Sequence, residues 1–169
     1  MRSTHGGIIA GMVQTIDEEL FDTVACLAES DPRRRMNHNF HCGPGDNPHR
    51  FLNVLLRGTY IRPHRHIDPA KAETFLVLEG CAEIVTFDDY GAIADRYRLG
   101  EDAQGRHLWG VDLSPGVWHT IVALSDRVVC FEVKPGPWEP STDKDFAPWA
   151  PAEGEPGVEA YLKALTAAG

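Results

Sequence analysis

The sequence predicts a mainly β protein, a sandwich or barrel with one helix at each end, and three observations support this. Between Phe51 and Val133 about eight short apolar runs recur at the 8–12-residue spacing of an all-β domain, separated by turn residues. Before them, Asp17–Glu29 has the amphipathic period of a helix. After them, Val158–Leu165 reads as a second, shorter helix.

Taken in order, residues 1–15 read as a loose arm or an edge strand. In the first helix Leu20, Val24 and Leu27 fall on one stripe, and acids fill the first turn, where they favour the helix dipole. Asp31-Pro32 ends it. Arg33-Arg-Arg-Met-Asn-His-Asn-Phe-His41 is basic in an otherwise acidic chain and has little apolar periodicity, and Cys42–Pro48 is a loop by its turn residues. The strands follow: Phe51–Leu56, Tyr60–His66 with Pro63 marking an edge or bulge, Thr74–Leu78, Cys81–Phe87, Ile93–Leu99, His107–Leu113, His119–Leu124 and Val128–Val133. Pro135-Gly-Pro137 closes the β region. Residues 138–157 have no period and are expected to lie over the barrel, anchored by Trp138, Phe146 and Trp149. The expected layout is a single domain over 1–169, with arm, helix and basic loop in 1–50, barrel in 51–135, and wrapping tail and helix in 136–169.

Composition narrows the function classes. The apolar fraction is 43% and the charged fraction 24%, ordinary for a globular chain, and the net charge of −9 argues against a general nucleic-acid partner. No apolar run reaches the roughly 20 residues of a membrane span. The start has little basic character and is interrupted by Gly6, Gly7 and Gly11, so it does not read as a signal peptide. Cys26, Cys42, Cys81 and Cys130 are scattered without a CxxC pair, which predicts free thiols and a cytoplasmic location.

Chemistry concentrates at four residues. His64 and His66 are two apart and share a face of an extended strand, Glu73 opens the next apolar run after the Asp68-Pro69 turn, and His119 follows the Pro115-Gly116 turn. Three imidazoles and a carboxylate suit a divalent transition metal (iron, zinc, manganese or nickel) and leave positions open for a ligand. The alternative is that they are ordinary loop histidines. Around them, Arg35, Asn37, Asn39 and His41 are candidates to bind an anionic or sugar-like ligand, the alternative being a solvated basic surface. Glu132 is a candidate general acid or base, or else a solvent-facing strand residue; Tyr60 is a candidate proton donor, or else packs. Arg62 and Arg65 alternate with the histidines and are expected to point away from them. Lys71 and Lys144 are expected on the surface. A separate zinc site at His38, His41 and Cys42 lacks a fourth ligand.

Gly58-(5)-His64-x-His66-(6)-Glu73-(6)-Gly80 resembles the first cupin motif, and Gly110-(4)-Pro115-Gly116-(2)-His119 the second. The His66-to-Glu73 gap is six residues instead of three or four, so the loop must double back, and Ala123 stands where asparagine is frequent. The resemblance implies a cupin-type double-stranded β-helix (jelly-roll barrel) whose metal is held by His64, His66, Glu73 and His119. Over roughly residues 30–155 the chain is similar to WbuC-type cupin metalloproteins, through Pro32–His41, Thr59–His66, Phe131–Pro137 and Asp143–Gly154. That family takes its name from O-antigen polysaccharide gene clusters. The open metal positions support, as expectations, Lewis-acid isomerase or lyase chemistry on a small sugar-derived or anionic metabolite, a non-catalytic metal-dependent binding or sensor module, or an iron-dependent dioxygenase. Fold analogy adds an expected homodimer; the acidic charge and the lack of a long apolar run lead us to expect no nucleic-acid or membrane partner.

Overall fold

A computed structural model describes residues 13–167, so the expectation for residues 1–15 falls almost wholly outside the described residues. Helix α1 spans Glu18–Ser30. Asp17 caps it, accepting from the Leu20 amide at 3.0 Å, with Glu18 and Glu19 in the first turn. The buried stripe is Phe21, Val24, Ala25 and Ala28, not Leu20–Val24–Leu27; Leu27 is 54% exposed. Positions i, i+3, i+4 and i+7 make the wider face a sheet requires, and the two alanines let the helix lie close.

Eleven strands follow: β1 Arg35–Asn39, β2 His49–Leu56, β3 His64–Arg65, β4 Glu73–Glu79, β5 Ala82–Phe87, β6 Ile93–Glu101, β7 His107–Leu108, β8 Gly110–Leu113, β9 Trp118–Ala123, β10 Arg127–Lys134 and β11 Asp145–Phe146. Helix α2 spans Val158–Ala167. Two antiparallel sheets form, ordered β1-β2-β10-β4-β8 and β11-β3-β9-β5-β6-β7. No helix among the described residues is long and apolar enough to cross a membrane.

Three departures from the sequence reading have physical causes. The basic segment is a strand, β1, zipped to β2 from Arg35↔Leu55 to Asn39↔Phe51. It is an edge strand, so its polar side chains reach solvent and no apolar period is needed. The run 60–66 pairs as a strand only at its end, because Pro63 has no N–H to give a ladder. The run 107–113 divides between the sheets at Trp109, and Gly110 is required there, since a Cβ would run into the Phe75 carbonyl oxygen.

Alternation along the strands builds three packed layers. Between the sheets lie Leu55, Phe75, Val77, Ile84, Leu99, Ile121 and Val128. Outside the first sheet, α1 covers Leu52, Val54 and Val129. Outside the second, α2 and the tail cover Val85, Trp118 and Val122. Ala147 and Ala150 are the buried apolar residues of the tail; Trp149 packs against Phe87 and Trp118, whereas Trp138 and Phe146 are 42% and 47% exposed and do not anchor it. The tail is tied down by polar bonds as well. Ala147 N–H donates to Pro63 O at 2.9 Å, and the Arg62 guanidinium donates to Ala147 O at 2.7 Å.

Candidate metal centre

The inward faces of the strands change character along their length. On β10 the inward residues run Val128, Cys130, Glu132, Lys134; on β4 they run Val77, Phe75, Glu73; on β9 they run Ala123, Ile121, His119. One end of the barrel is therefore an apolar plug and the other a buried polar chamber. Ala123, at the position where asparagine is frequent in cupins, belongs to the plug.

His64, His66, Glu73 and His119 meet in that chamber, all buried, each offering one ligand atom within 4.8 Å of the others. His64 stands opposite His119 in the β3–β9 register. The loop before Glu73 doubles back through a bridge between Ile67 and Ala70, which absorbs the additional residues and delivers Glu73 as the first residue of β4.

The hydrogen bonds orient the rings. His64 Nδ1 lies 2.9 Å from Arg62 O, His119 Nδ1 lies 2.9 Å from Val117 O, and His66 Nδ1 contacts Asp143 O. A carbonyl oxygen only accepts, so each Nδ1 carries the proton and each Nε2 presents a lone pair. His66 Nε2 and His119 Nε2 approach Glu73 Oε1 and Oε2 at 3.1 and 2.9 Å, yet both imidazole nitrogens and Glu73 Oε2 have no hydrogen-bond partner. Lone pairs facing a carboxylate at such distances repel unless a cation lies between them. Burial pushes the His64 pKa well below its ordinary value, which keeps that ring neutral. Burial works to raise the Glu73 pKa, yet the carboxyl is held well below its usual range, with the Lys134 ammonium 3.3 Å away among the groups that favour its charged form. Neutral nitrogen donors around an anionic oxygen are the ligand set of a divalent transition metal, and the backbone-locked Nδ1 atoms are the outer-shell pattern that orients such ligands.

A charged layer stands behind these four residues. Lys134 Nζ is 3.3 Å from Glu73 Oε1, 3.3 Å from Asp143 Oδ2 and 3.9 Å from Glu132 Oε1. Lys71, which the sequence places on the surface, is buried, with Nζ 2.9 Å from Asp143 Oδ1 and 2.6 Å from Pro137 O. Glu132 faces inward and is only 4% exposed, with Asn53 Nδ2 donating to its Oε2 at 3.2 Å. Burial, with repulsion from Glu73, pushes its pKa up to about 8. Lys144 is half-buried, not a surface residue; burial first, and Lys134 second, lowers its pKa.

The remaining candidates are distributed as follows. Asn37, Asn39 and His41 line a cleft of about 450 Å³ with Lys134 and Trp138. His41 is stacked on His49 at 4.1 Å. Arg35 is already engaged, donating to Tyr60 O at 2.8 Å and to both Glu153 oxygens at 2.6 and 2.7 Å. Tyr60 is turned away from the chamber: its hydroxyl donates to Pro151 O at 2.8 Å and its ring meets Tyr161. The strand parity that linked it to the histidines fails because residues 60–63 are not in a ladder. Arg62 and Arg65 do point away, over the Phe146 and Trp118 rings. Sequence reasoning missed Lys71, Lys134, Asp143 and Asn53; a lysine alternating with Glu132 on one strand was the available signal. A cleft of about 630 Å³ between Thr86 and Trp118, with Asp88, Asp89, Asp95 and Asp112 in its wall, contains none of the four convergent residues.

This architecture is a cupin-type double-stranded β-helix, with a buried cluster of three histidines and one glutamate that could hold a metal. Residues 16–99, just under half of the chain, match a domain family of unknown function, DUF6016; the match includes His64, His66 and Glu73 and stops before His119. Among curated proteins none matches. Among solved structures, the capsular polysaccharide assembling protein CapF from Staphylococcus aureus aligns with 25% identity and a TM-score of 0.54, over 69% of this chain and 32% of its own. The chain thus spans about a third of CapF. L-ribose isomerase from Cellulomonas parahominis, solved with L-psicose, aligns at 14% identity and TM-score 0.52, over 69% and 70% of the two chains. Protein SO0799 from Shewanella oneidensis aligns at 12% identity and TM-score 0.51, over 66% and 72%. The last two are likenesses of fold.

Proposed function

We propose that this chain is a metal-dependent cupin of the WbuC type that acts on a small sugar-derived or anionic metabolite in polysaccharide assembly, by isomerase- or lyase-type chemistry. The observation that carries the reading is the convergence of unsatisfied Nε2 atoms on a buried anionic Glu73, with each ring locked through Nδ1 to the backbone. His64, His66, Glu73 and His119 hold the metal, which when bound supplies Lewis-acid polarisation of a carbonyl or hydroxyl oxygen. Lys134 and Asp143 fix Glu73 and His66. Glu132, with a pKa pushed up to about 8, holds a proton at neutral pH that it can give or take at its carboxyl oxygen. Asn37, Asn39 and His41 orient the ligand in the cleft. The likeness to CapF, a capsular polysaccharide assembling protein, agrees with the setting. The test is to load the chain separately with zinc, iron, manganese and nickel and follow a panel of aldoses, ketoses and sugar acids by NMR. Turnover supported by redox-inert zinc supports the proposal. Oxygen uptake with iron alone shows a dioxygenase, and ligand stabilisation without turnover shows a binding module; either result overturns the chemistry proposed.

A further inference from the structure

A second cavity, of about 360 Å³, lies beside the four convergent residues and contains none of them. Its wall includes Asn53, Glu132, Lys134, Lys144 and Trp138. Lys134, in its wall, lies 3.3 Å from Glu73. Two of these groups are incompletely satisfied. Asn53 is buried, and while its Nδ2 donates to Glu132, its Oδ1 has no partner. A buried amide oxygen without a donor is costly, and a hydroxyl entering the cavity would satisfy it. Lys144 has no carboxylate within 4.0 Å among the described residues, whereas the other cations of the wall are engaged: Arg33 with Asp31, Arg35 with Glu153, and Lys134 with Asp143. A half-buried ammonium with no carboxylate in contact, facing a cavity, calls for an anion. Half-exposed Trp138 adds an apolar face at the rim.

We infer that this cavity binds an anionic polyol, a sugar acid or a sugar phosphate, with its anionic group on Lys144 and a hydroxyl donated to Asn53 Oδ1. The inference rests on the reading of the chain as acting on a small sugar-derived metabolite, and it names the class. Gluconate and glucose 6-phosphate share the required chemistry and differ in the anion; glucose lacks it.

The experiment is calorimetric titration of the full chain, zinc-loaded and zinc-free, with gluconate, glucose 6-phosphate and glucose, and zinc counted in the same samples. At least one anion is expected to bind about tenfold or more tightly than glucose, the loss of one charge-assisted contact being of that size. Gluconate binding alone identifies a carboxylate, and glucose 6-phosphate alone a phosphate. Lys144→Gln and Asn53→Leu should each weaken the preferred anion about tenfold, and Lys144→Arg should retain it. The inference is overturned if neither anion binds, if glucose binds equally well, or if folded Lys144→Gln binds undiminished. Failure to take up zinc is a separate result: it removes the metal reading, while anion binding by the zinc-free chain still supports the cavity's assignment.

Discussion

Asp143 connects the tail to the barrel interior, and replacing it with asparagine isolates what that connection is worth. Its Oδ1 lies 2.9 Å from Lys71 Nζ and its Oδ2 3.3 Å from Lys134 Nζ, and the side chains involved are only 2–8% exposed. Its carbonyl also receives His66 Nδ1–H. Asparagine preserves the shape and removes the charge. Lys134 would keep its ion pair with Glu73, but Lys71 would keep only the Pro137 carbonyl. Breaking a buried pair by neutralising one partner costs about 3–5 kcal/mol, because a buried charge is left uncompensated. In a chain of this length that is roughly 6–20 °C in Tm. The control is Asp126→Asn, whose carboxylate pairs with Arg57 at 2.7 Å but is 96% exposed; it should change stability by less than about 1 kcal/mol. Urea unfolding of both variants after chelation keeps metal binding out of the comparison. A loss for Asp143→Asn no larger than for Asp126→Asn would refute the account of the buried network.

Other expected outcomes follow from the same contacts. Glu132→Gln should become more stable relative to wild type as pH rises. The folded chain holds the Glu132 proton up to about pH 8, whereas the unfolded chain releases it near pH 4.3. The native carboxyl therefore costs stability progressively between those values, at up to about 1.4 kcal/mol per pH unit, and nothing below them; parallel pH profiles of the two unfolding curves would contradict this. Tyr60→Phe should cost about 0.5–1.5 kcal/mol through the lost bond to Pro151 O and leave metal content unchanged; loss of metal would return the phenol to the site. Ile84→Ala, at a fully buried position between the sheets, should cost about 2–5 kcal/mol in chemical unfolding.

How far the sequence could be read depended on whether a residue's role was local. Strands were legible where alternation and turns agreed, as from Thr74 to Phe87, and His64, His66, Glu73 and His119 stood out because ligand-type residues sat beside turns. β1 was not legible, since an edge strand exposes its polar face. The conversion of Lys71 into a buried counter-ion was not legible either, because its partner Asp143 is 72 positions away. The run Asp143–Ala147 had no local meaning. In the fold every member has one: Asp143 pairs with Lys71 and Lys134, Lys144 faces the cavity, Asp145 pairs with Arg65 at 2.8 Å, Phe146 pairs with His64 in the sheet, and Ala147 is fully buried in the layer outside the second sheet. Glu132 could be placed opposite Phe131 and Val133 by parity, but which face was interior followed only from α1 packing over Phe131.

The most direct test of the metal centre is elemental analysis of untagged protein beside His64→Ala and His119→Ala. The structure predicts about one transition metal per chain, lost in both variants while circular dichroism shows them folded. Folded wild-type protein that holds no metal, and takes up none when iron, zinc, manganese and nickel are offered in turn, would contradict it.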